Sequence, residues 1–414
     1  MIRYRADWVL PIIDEPIRGG VVGVTGDRIA SVDTDASGEV VDLGHCVILP
    51  SLVNAHTHLE LSHLHGRIPK GENFVQWVSG VIAARRDFPD IADRRIIDAA
   101  QRAIVDLEAS GTGLVGDVTN SLVTVPLLRA SRLRAQVFYE QLGFNAADPE
   151  ERVAQARGRL RTIETGPDVR VAIAPHAPYS VSPGLFAAIR ADLDANRPAV
   201  STVHLGESPD EVEFLKRGTG RFRDLLEQMG VWTDAWRPPG VSPVAYLSDL
   251  GFLDRSVLAV HGVQFDGADL STLATRGTTI VSCPRSNEYV GVGSPPLEAF
   301  YAMDVDVAFG TDSLASAPDL SVFAELAEAR RLAPRVPARR LLESATRIGA
   351  RALGFESDLG TIESDKRASL IAVRVPDAVT DVEEYLVSGI SREAISWLSG
   401  EREKGDKGQG AGLS

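Results

Sequence analysis

Cysteine is almost missing from this chain: Cys46 and Cys283 are the only two in 414 residues. That excludes a disulfide framework and a cysteine-based zinc site, and it suits a reducing cytoplasm. Long apolar runs are missing as well. No window approaches the roughly 18 to 20 uninterrupted apolar residues of a membrane span. The opening MIRYRADWVL has no apolar core followed by a small-residue cleavage site, so no secretory leader is expected. Positive charge is scarce: 43 Lys and Arg stand against 57 Asp and Glu, and the formal charge is −14. Nucleic acid and anionic membranes are poor partners for such a surface, whereas a small-molecule substrate is unaffected by it. What is present, 44% hydrophobic and 24% charged residues, is the composition of a globular protein. Its length suits one barrel-sized catalytic domain with a small satellite.

From about residue 50 onward, short apolar runs alternate with amphipathic stretches, the rhythm of βα units. Eight runs read as strands: 49–58, 111–119, 133–142, 169–177, 199–207, 256–263, 278–286 and 306–313. Between them, 96–111 and 323–332 carry apolar residues at helical spacing. Eight parallel strands with intervening helices imply an α/β fold, a (β/α)8 barrel of the TIM type over 49–357, with function at the C-terminal ends of its strands. Residues 1–48 and 358–400 are strand-like and flank this unit, so a small β-sandwich built from both chain ends is expected. The Gly- and charge-rich tail 401–414 is expected to be disordered.

Four of the eight histidines fall in the stretch HTHLELSHLH, 56–65. His56 and His58 ride on the apolar run itself, and residues i and i+2 of a strand point the same way, so both can chelate one ion. His63 and His65 follow once the strand has given way to a loop, where they are at most substrate-facing. His176, His204, His261 and Asp312 also end apolar runs. His56, His58, His204 and Asp312 together make an N3O set for one divalent metal with a position left open for water. Zinc is expected first and iron is the alternative. Glu207, in HLGE, can take a proton from the attacking water and pass it to substrate; the competing role is a first-turn acid of the next helix. His261 can hydrogen-bond the attacking oxygen, and Asp312 can accept its proton.

HTH at 56–58, HLGE at 204–207, VHGV at 260–263 and GTDS at 310–313, in that order along the chain, resemble the amidohydrolase superfamily. In the superfamily's binuclear branch a carboxylated lysine bridges two metals. Here the five lysines, Lys70, Lys216, Lys366, Lys404 and Lys407, all lie outside the assigned strands. The resemblance therefore implies the mononuclear HxxE branch, hydrolases of C–N bonds rich in deaminases of purines, pyrimidines and adenosine derivatives. APHAPYSVSP resembles a segment of the S-adenosylhomocysteine and methylthioadenosine deaminases in which the histidine touches substrate, which carries that role to His176. FVQWV and LVNAHTHLELS carry it to Trp77 and Glu60, although the acid expected near the tryptophan is absent. CPRSN departs from the family's NPxSN and places Arg285 at the mouth of the seventh strand, a candidate to hold a substrate carboxylate, with Arg217 and Arg221 next in line. KRASL departs too, with Ser369 where relatives carry Asp. The combination looks most like deaminases of 6-amino-6-deoxyfutalosine, in menaquinone biosynthesis, and implies a homodimer. Rivals are deamination of S-adenosylhomocysteine, methylthioadenosine, guanine or cytosine, triazine dechlorination, and a barrel that binds a ligand without chemistry.

Overall fold

The eight apolar runs become eight short strands. In the computed structural model, which describes residues 1–377 and 379–398, they are β1 Leu52–Thr57, β2 Thr112–Thr119, β3 Arg134–Gln141, β4 Val169–Pro175, β5 Ser201–Leu205, β6 Val257–His261, β7 Thr279–Ser282 and β8 Val307–Phe309. All pair in parallel and in sequence order, β1 to β4 in one sheet and β5 to β8 in a second. Main-chain hydrogen bonds join the two sheets at both edges. His204 N donates to His176 O at 2.9 Å, and across the other edge Thr311 N and Asp312 N both donate to His56 O at 3.1 Å. These two seams draw residues of the first, fourth, fifth and eighth strands together.

The strands are buried on both faces, as parallel strands packed between layers are; β2, TGLVGDVT, is buried along its whole length. Gly116 lets β2 approach β1, since a Cβ there would fall 2.3 Å from Ala55 O. The helices between strands are amphipathic. Arg94–Ala109, over the 96–111 pattern, buries Ile96, Ala100, Ala103 and Leu107 on one face, and its N-cap Asp93 accepts from Arg95 N. Val322–Leu332 occupies the 323–332 pattern. Ser182, Ser208, Ser242 and Ser321 each cap a helix by accepting a main-chain N–H.

One expected strand divides. Leu49 and Pro50, read as the start of the run ending in His58, belong to Cys46–Pro50, which pairs antiparallel with Leu370–Arg374 and parallel with Trp8–Val9. The change of partner comes at Ser51, whose N donates to Ser369 O at 2.9 Å and whose Oγ lies 2.7 Å from Ser369 Oγ. An apolar run that passes from one buried sheet to another shows no break in composition, so the division is silent in sequence. Cys46–Pro50 sits in a five-stranded sheet with Ile17–Arg18 and Ile395–Trp397, while Ile2–Arg5, Val21–Thr25, Arg28–Asp33 and Val41–Asp42 form a four-stranded one. Tyr4, Val22 and Ile29 of the latter meet Val9, Ile48 and Leu370 of the former in one buried cluster. Among the described residues no helix is long and apolar enough to cross a membrane. The tail 401–414 lies outside the described residues.

Candidate active site

His56 and His58 stand at the end of β1, and both imidazoles face the carboxylate of Asp312. His56 Nε2 lies 3.6 Å and His58 Nε2 3.5 Å from Asp312 Oδ1. Gly310 permits the approach, because a Cβ there would sit 2.7 Å from His56 Cβ and 2.8 Å from His56 O. Asp312 and His261 take left-handed φ values of 57° and 79°. Such backbone costs a non-glycine residue about 1–3 kcal/mol and gathers at functional sites. Ser286 Oγ and Ser316 Oγ donate to Asp312 Oδ2 at 2.6 and 2.8 Å, which leaves Oδ1 facing the imidazoles.

His204 and His261 complete the group, with His204 Nδ1 3.0 Å from His261 Nε2. Ligand atoms of His56, His58 and Asp312 all fall within 4.8 Å of one another, and so do those of His56, His204 and His261. The 3.5–3.6 Å separations exceed hydrogen-bond length, and both ring nitrogens of His56 and Nε2 of His204 are buried without a hydrogen-bond partner. Buried polar atoms are normally satisfied, so something absent from the chain completes these. Two ligands at about 2.0–2.1 Å on a tetrahedral ion stand roughly 3.3–3.4 Å apart, close to the spacing seen. The protonation states agree. Burial holds the imidazoles of His56 and His58 below their ordinary range, against the pull of Asp312. Burial alone would raise the Asp312 carboxyl, but His56, His58 and His261 hold it well below its usual value. Neutral imidazoles around an ionised carboxylate are the donor set a divalent cation requires.

This group opens on a cavity of about 460 Å³. One wall is apolar: Leu61, then Phe74, Trp77, Val78, Val81 and Ile82 from the helix Phe74–Arg86. The lining also includes the polar residues Asn120, Glu140, His176 and Glu207, and Arg85 and Arg86 reach the cavity too.

Glu207 is aimed by its neighbours. Gly206, at φ 61°, turns the chain out of β5, and Ser208 rather than Glu207 caps the helix Pro209–Arg217. Glu211 reaches back, its Oε1 accepting from Gly206 N at 3.1 Å and its Oε2 from Glu207 N at 3.0 Å. The capping role is therefore filled elsewhere, and the Glu207 side chain lines the cavity with Oε1 3.5 Å from His261 Nε2. Burial, with Asp312 and Glu211 nearby, pushes its carboxyl well above the ordinary range.

The structure thus brings together His56, His58, His204, His261, Asp312 and Glu207, and sets His176 and Trp77 on the same cavity. Other candidates stand apart. Glu60 points away from the cavity, its carboxylate accepting from Thr119 Oγ1 at 2.6 Å, Ser121 Oγ at 2.5 Å and Arg85 at 3.2 Å. Arg285 is not at the cavity either. Pro284 starts a helix as soon as β7 ends, which turns Arg285 outward onto Asp319 at 2.8 and 3.0 Å and towards Glu325 at 3.6 Å. Arg221 pairs with Asp210 at 2.9 Å, and neither it nor Arg217 reaches the cavity. His63 bonds Glu60 O at 2.9 Å, and His65 is exposed.

Several residues were passed over. In CPRSN the site uses the serine and the asparagine: Ser286 holds Asp312, and Asn287 Oδ1 lies 2.8 Å from His261 Nδ1. Glu140, last but one in β3, lines the cavity, so the strand-end rule that singles out the histidines applies to it equally. Glu211 and Arg85 carry no comparable signal, because each acts through a fold contact.

The amidohydrolase family model matches residues 47–391. The chain is 33% identical over 325 residues to an aminodeoxyfutalosine deaminase of Deinococcus radiodurans, covering 74% of this chain and 73% of the relative. It is 30% identical over 408 residues to a 5-methylthioadenosine/S-adenosylhomocysteine deaminase of Moorella thermoacetica, covering 92% and 88%. A crystal structure of an adenosine deaminase from Xanthomonas campestris with bound zinc superimposes with a TM-score of 0.82 at 27% identity, over 96% of this chain and 91% of that one. The chain belongs to the amidohydrolase family and is a hydrolase acting on C–N bonds.

Proposed function

We propose that this protein is a metal-dependent hydrolytic deaminase of adenosine-type nucleosides, with 6-amino-6-deoxyfutalosine as preferred substrate. The observation that carries the reading is Glu207, a buried carboxyl kept free of capping duty and turned towards the histidine group. The Deinococcus and Moorella relatives, both named as deaminases of adenosine derivatives, support the substrate class. The architecture that goes with it is a closed eight-stranded barrel, residues 52–357, with the two end sheets as a small sandwich beside it.

His56, His58, His204 and Asp312 would hold one divalent ion, zinc on the precedent of the Xanthomonas relative. When bound, such an ion supplies Lewis acidity that makes water nucleophilic at neutral pH. Glu207 takes a proton from the attacking water at Oε1 and delivers it to the ring nitrogen beside the amine-bearing carbon. His261 orients the attacking oxygen. Asp312 passes the second proton through Oδ1 to the amine, which leaves as ammonia, and the purine keeps the water's oxygen. The apolar wall of Phe74, Trp77, Val78 and Ile82 accommodates an aryl or thioether tail, and Arg86 supplies the cation for a carboxylate at its end.

The test is ammonia release by the zinc-loaded protein across aminopurine nucleosides, free aminopurines, cytosine and a chlorotriazine. Turnover confined to 6-aminopurine nucleosides supports the reading, and a preference for a free base or a triazine contradicts it.

A further inference from the structure

The reaction leaves one buried carboxylate of the cavity without a task. Glu140, last but one in β3, is 7% exposed and lies beside His176 from the end of β4 and His204 from β5. Its ligand atoms and those of His176 and His204 are within 4.8 Å of one another. Three contacts set its direction. Asn120 Nδ2 donates to Glu140 Oε2 at 2.9 Å, and Asn120 is itself held through Oδ1 by Arg85 at 2.9 Å. Arg85 is tied in turn to Glu60 at 3.2 Å. Glu140 Oε1 accepts no hydrogen bond among the described residues, and His204 Nε2 stands 3.7 Å away, too far for one.

His176 beside it is fixed in the complementary state. Ser180 Oγ donates to Ala177 O at 3.2 Å, so it accepts from His176 Nδ1 at 2.6 Å, and Nε2 of His176 keeps its lone pair. The cavity thus presents two neighbouring acceptors, a carboxylate oxygen and an imidazole nitrogen. A ligand that satisfies both must bring two adjacent donors; on an adenosine-type nucleoside the 6-amine is taken up by the reaction beside Glu207 and Asp312, which leaves the vicinal hydroxyls of the sugar. A second cation fits less well, because it would draw on His204, which already belongs to the histidine group around Asp312.

Resting on the nucleoside reading above, we propose that Glu140 and His176 form a diol-reading site, with Glu140 the specificity-determining residue that selects ribonucleosides over deoxyribonucleosides. A sugar lacking one hydroxyl leaves a buried acceptor unmet, which is how sites reject analogues far more strongly than by lost contact alone.

The experiment measures kcat/KM of the zinc-loaded full-length protein on adenosine, 2′-deoxyadenosine and 3′-deoxyadenosine, in wild type and in Glu140→Gln. Zinc content is measured in parallel, with calorimetric binding of inosine and 2′-deoxyinosine. Wild type is expected to disfavour both deoxy sugars by roughly 10²-fold or more. Glu140→Gln is expected to lower adenosine turnover and inosine affinity by roughly 10²-fold, to change the deoxy compounds by less than about threefold, and to keep its zinc. Equal losses on ribose and deoxyribose substrates would overturn the proposal. So would a second zinc per chain that disappears with the substitution, which would make Glu140 a metal ligand. The wild-type comparison needs no variant, so indifference to both deoxy sugars overturns the proposal even if Glu140→Gln fails to fold. Wild-type protein that turns over none of the three nucleosides takes down the nucleoside reading itself, and this site with it.

Discussion

His261 Nδ1 lies 2.8 Å from the amide oxygen of Asn287, an atom that can only accept, so the proton of this imidazole sits on Nδ1. His261 Nε2 is then an acceptor, and the ring nitrogen 3.0 Å away, His204 Nδ1, must carry the proton that bridges them. His204 Nε2 is left with a lone pair and no hydrogen-bond partner. One asparagine thereby sets two tautomers. Groups that orient ligating and acid–base imidazoles typically contribute 10–100-fold in metal affinity or activity. Asn287→Leu should lower kcat/KM by about that factor while melting temperature moves little, and an unchanged kcat/KM would assign Asn287 to packing alone.

Glu207→Gln should keep the fold and the zinc, since Ser208 and Glu211 hold this turn through main-chain groups. General acid–base groups supply about 10²–10⁴ in rate, and a carboxyl that serves two transfers belongs at the upper end. Retention of more than about a tenth of wild-type turnover, with zinc content checked by elemental analysis, would remove Glu207 from the mechanism.

Two arginines should separate cleanly. Arg285 pairs with Asp319 at 2.8 Å and stands 3.6 Å from Glu325, whose fully buried carboxyl is pushed up to about 8 by burial despite the arginine. Arg285→Met should therefore lower stability and leave kcat/KM within about twofold on any nucleoside. Arg86 lines the cavity and has no ion-pair partner among the described residues. Arg86→Met should cost roughly tenfold in kcat/KM on a nucleoside bearing a carboxylate and nothing measurable on adenosine, the modest size reflecting its exposure. The reverse pattern would return the tail to Arg285.

Asp117 should make stability depend on pH. Its carboxyl is buried, accepts from Leu59 N at 2.9 Å and Thr124 Oγ1 at 2.6 Å, and is pushed up to about 7, chiefly by burial. A carboxyl raised in the folded state binds a proton there that the unfolded chain has already lost, so its contribution is complete below pH ~4 and fades as pH rises to about 7. The loss runs at ~1.4 kcal/mol per pH unit across that window. Glu211, raised to about 7 by burial, acts in the same sense. Asp117→Asn should make the fall in unfolding free energy between pH 5 and 7 smaller by about 2 kcal/mol in urea titrations. An unaltered slope would mean that Asp117 is ionised in the folded protein.

Much of the fold and of the histidine group is legible in the sequence. The eight strands and the members of the histidine group announce themselves, because an ionisable residue at the end of a buried apolar run has few places to go except the mouth of the sheet. Arg285 misled for the opposite reason. It follows an apolar run closely, but Pro284 opens a helix at that point, and one residue of helical rotation decides between outward Arg285 and inward Ser286 and Asn287. The division at Ser51 was hidden because both sheets it joins are buried. Glu211, Arg85 and Asn120 act through contacts made only by folding, up to tens of residues apart, and no local pattern marks them.

The central claim is hydrolytic deamination, and it is tested most directly by incubating zinc-loaded protein with 6-amino-6-deoxyfutalosine in oxygen-18 water. The account predicts ammonia and a 6-oxopurine product in equal amounts, heavy oxygen at the carbon that lost its amine, and loss of both products on chelation of the metal. A zinc-loaded protein that releases no ammonia from this compound or from adenosine, or that yields a product without the heavy oxygen, would contradict it.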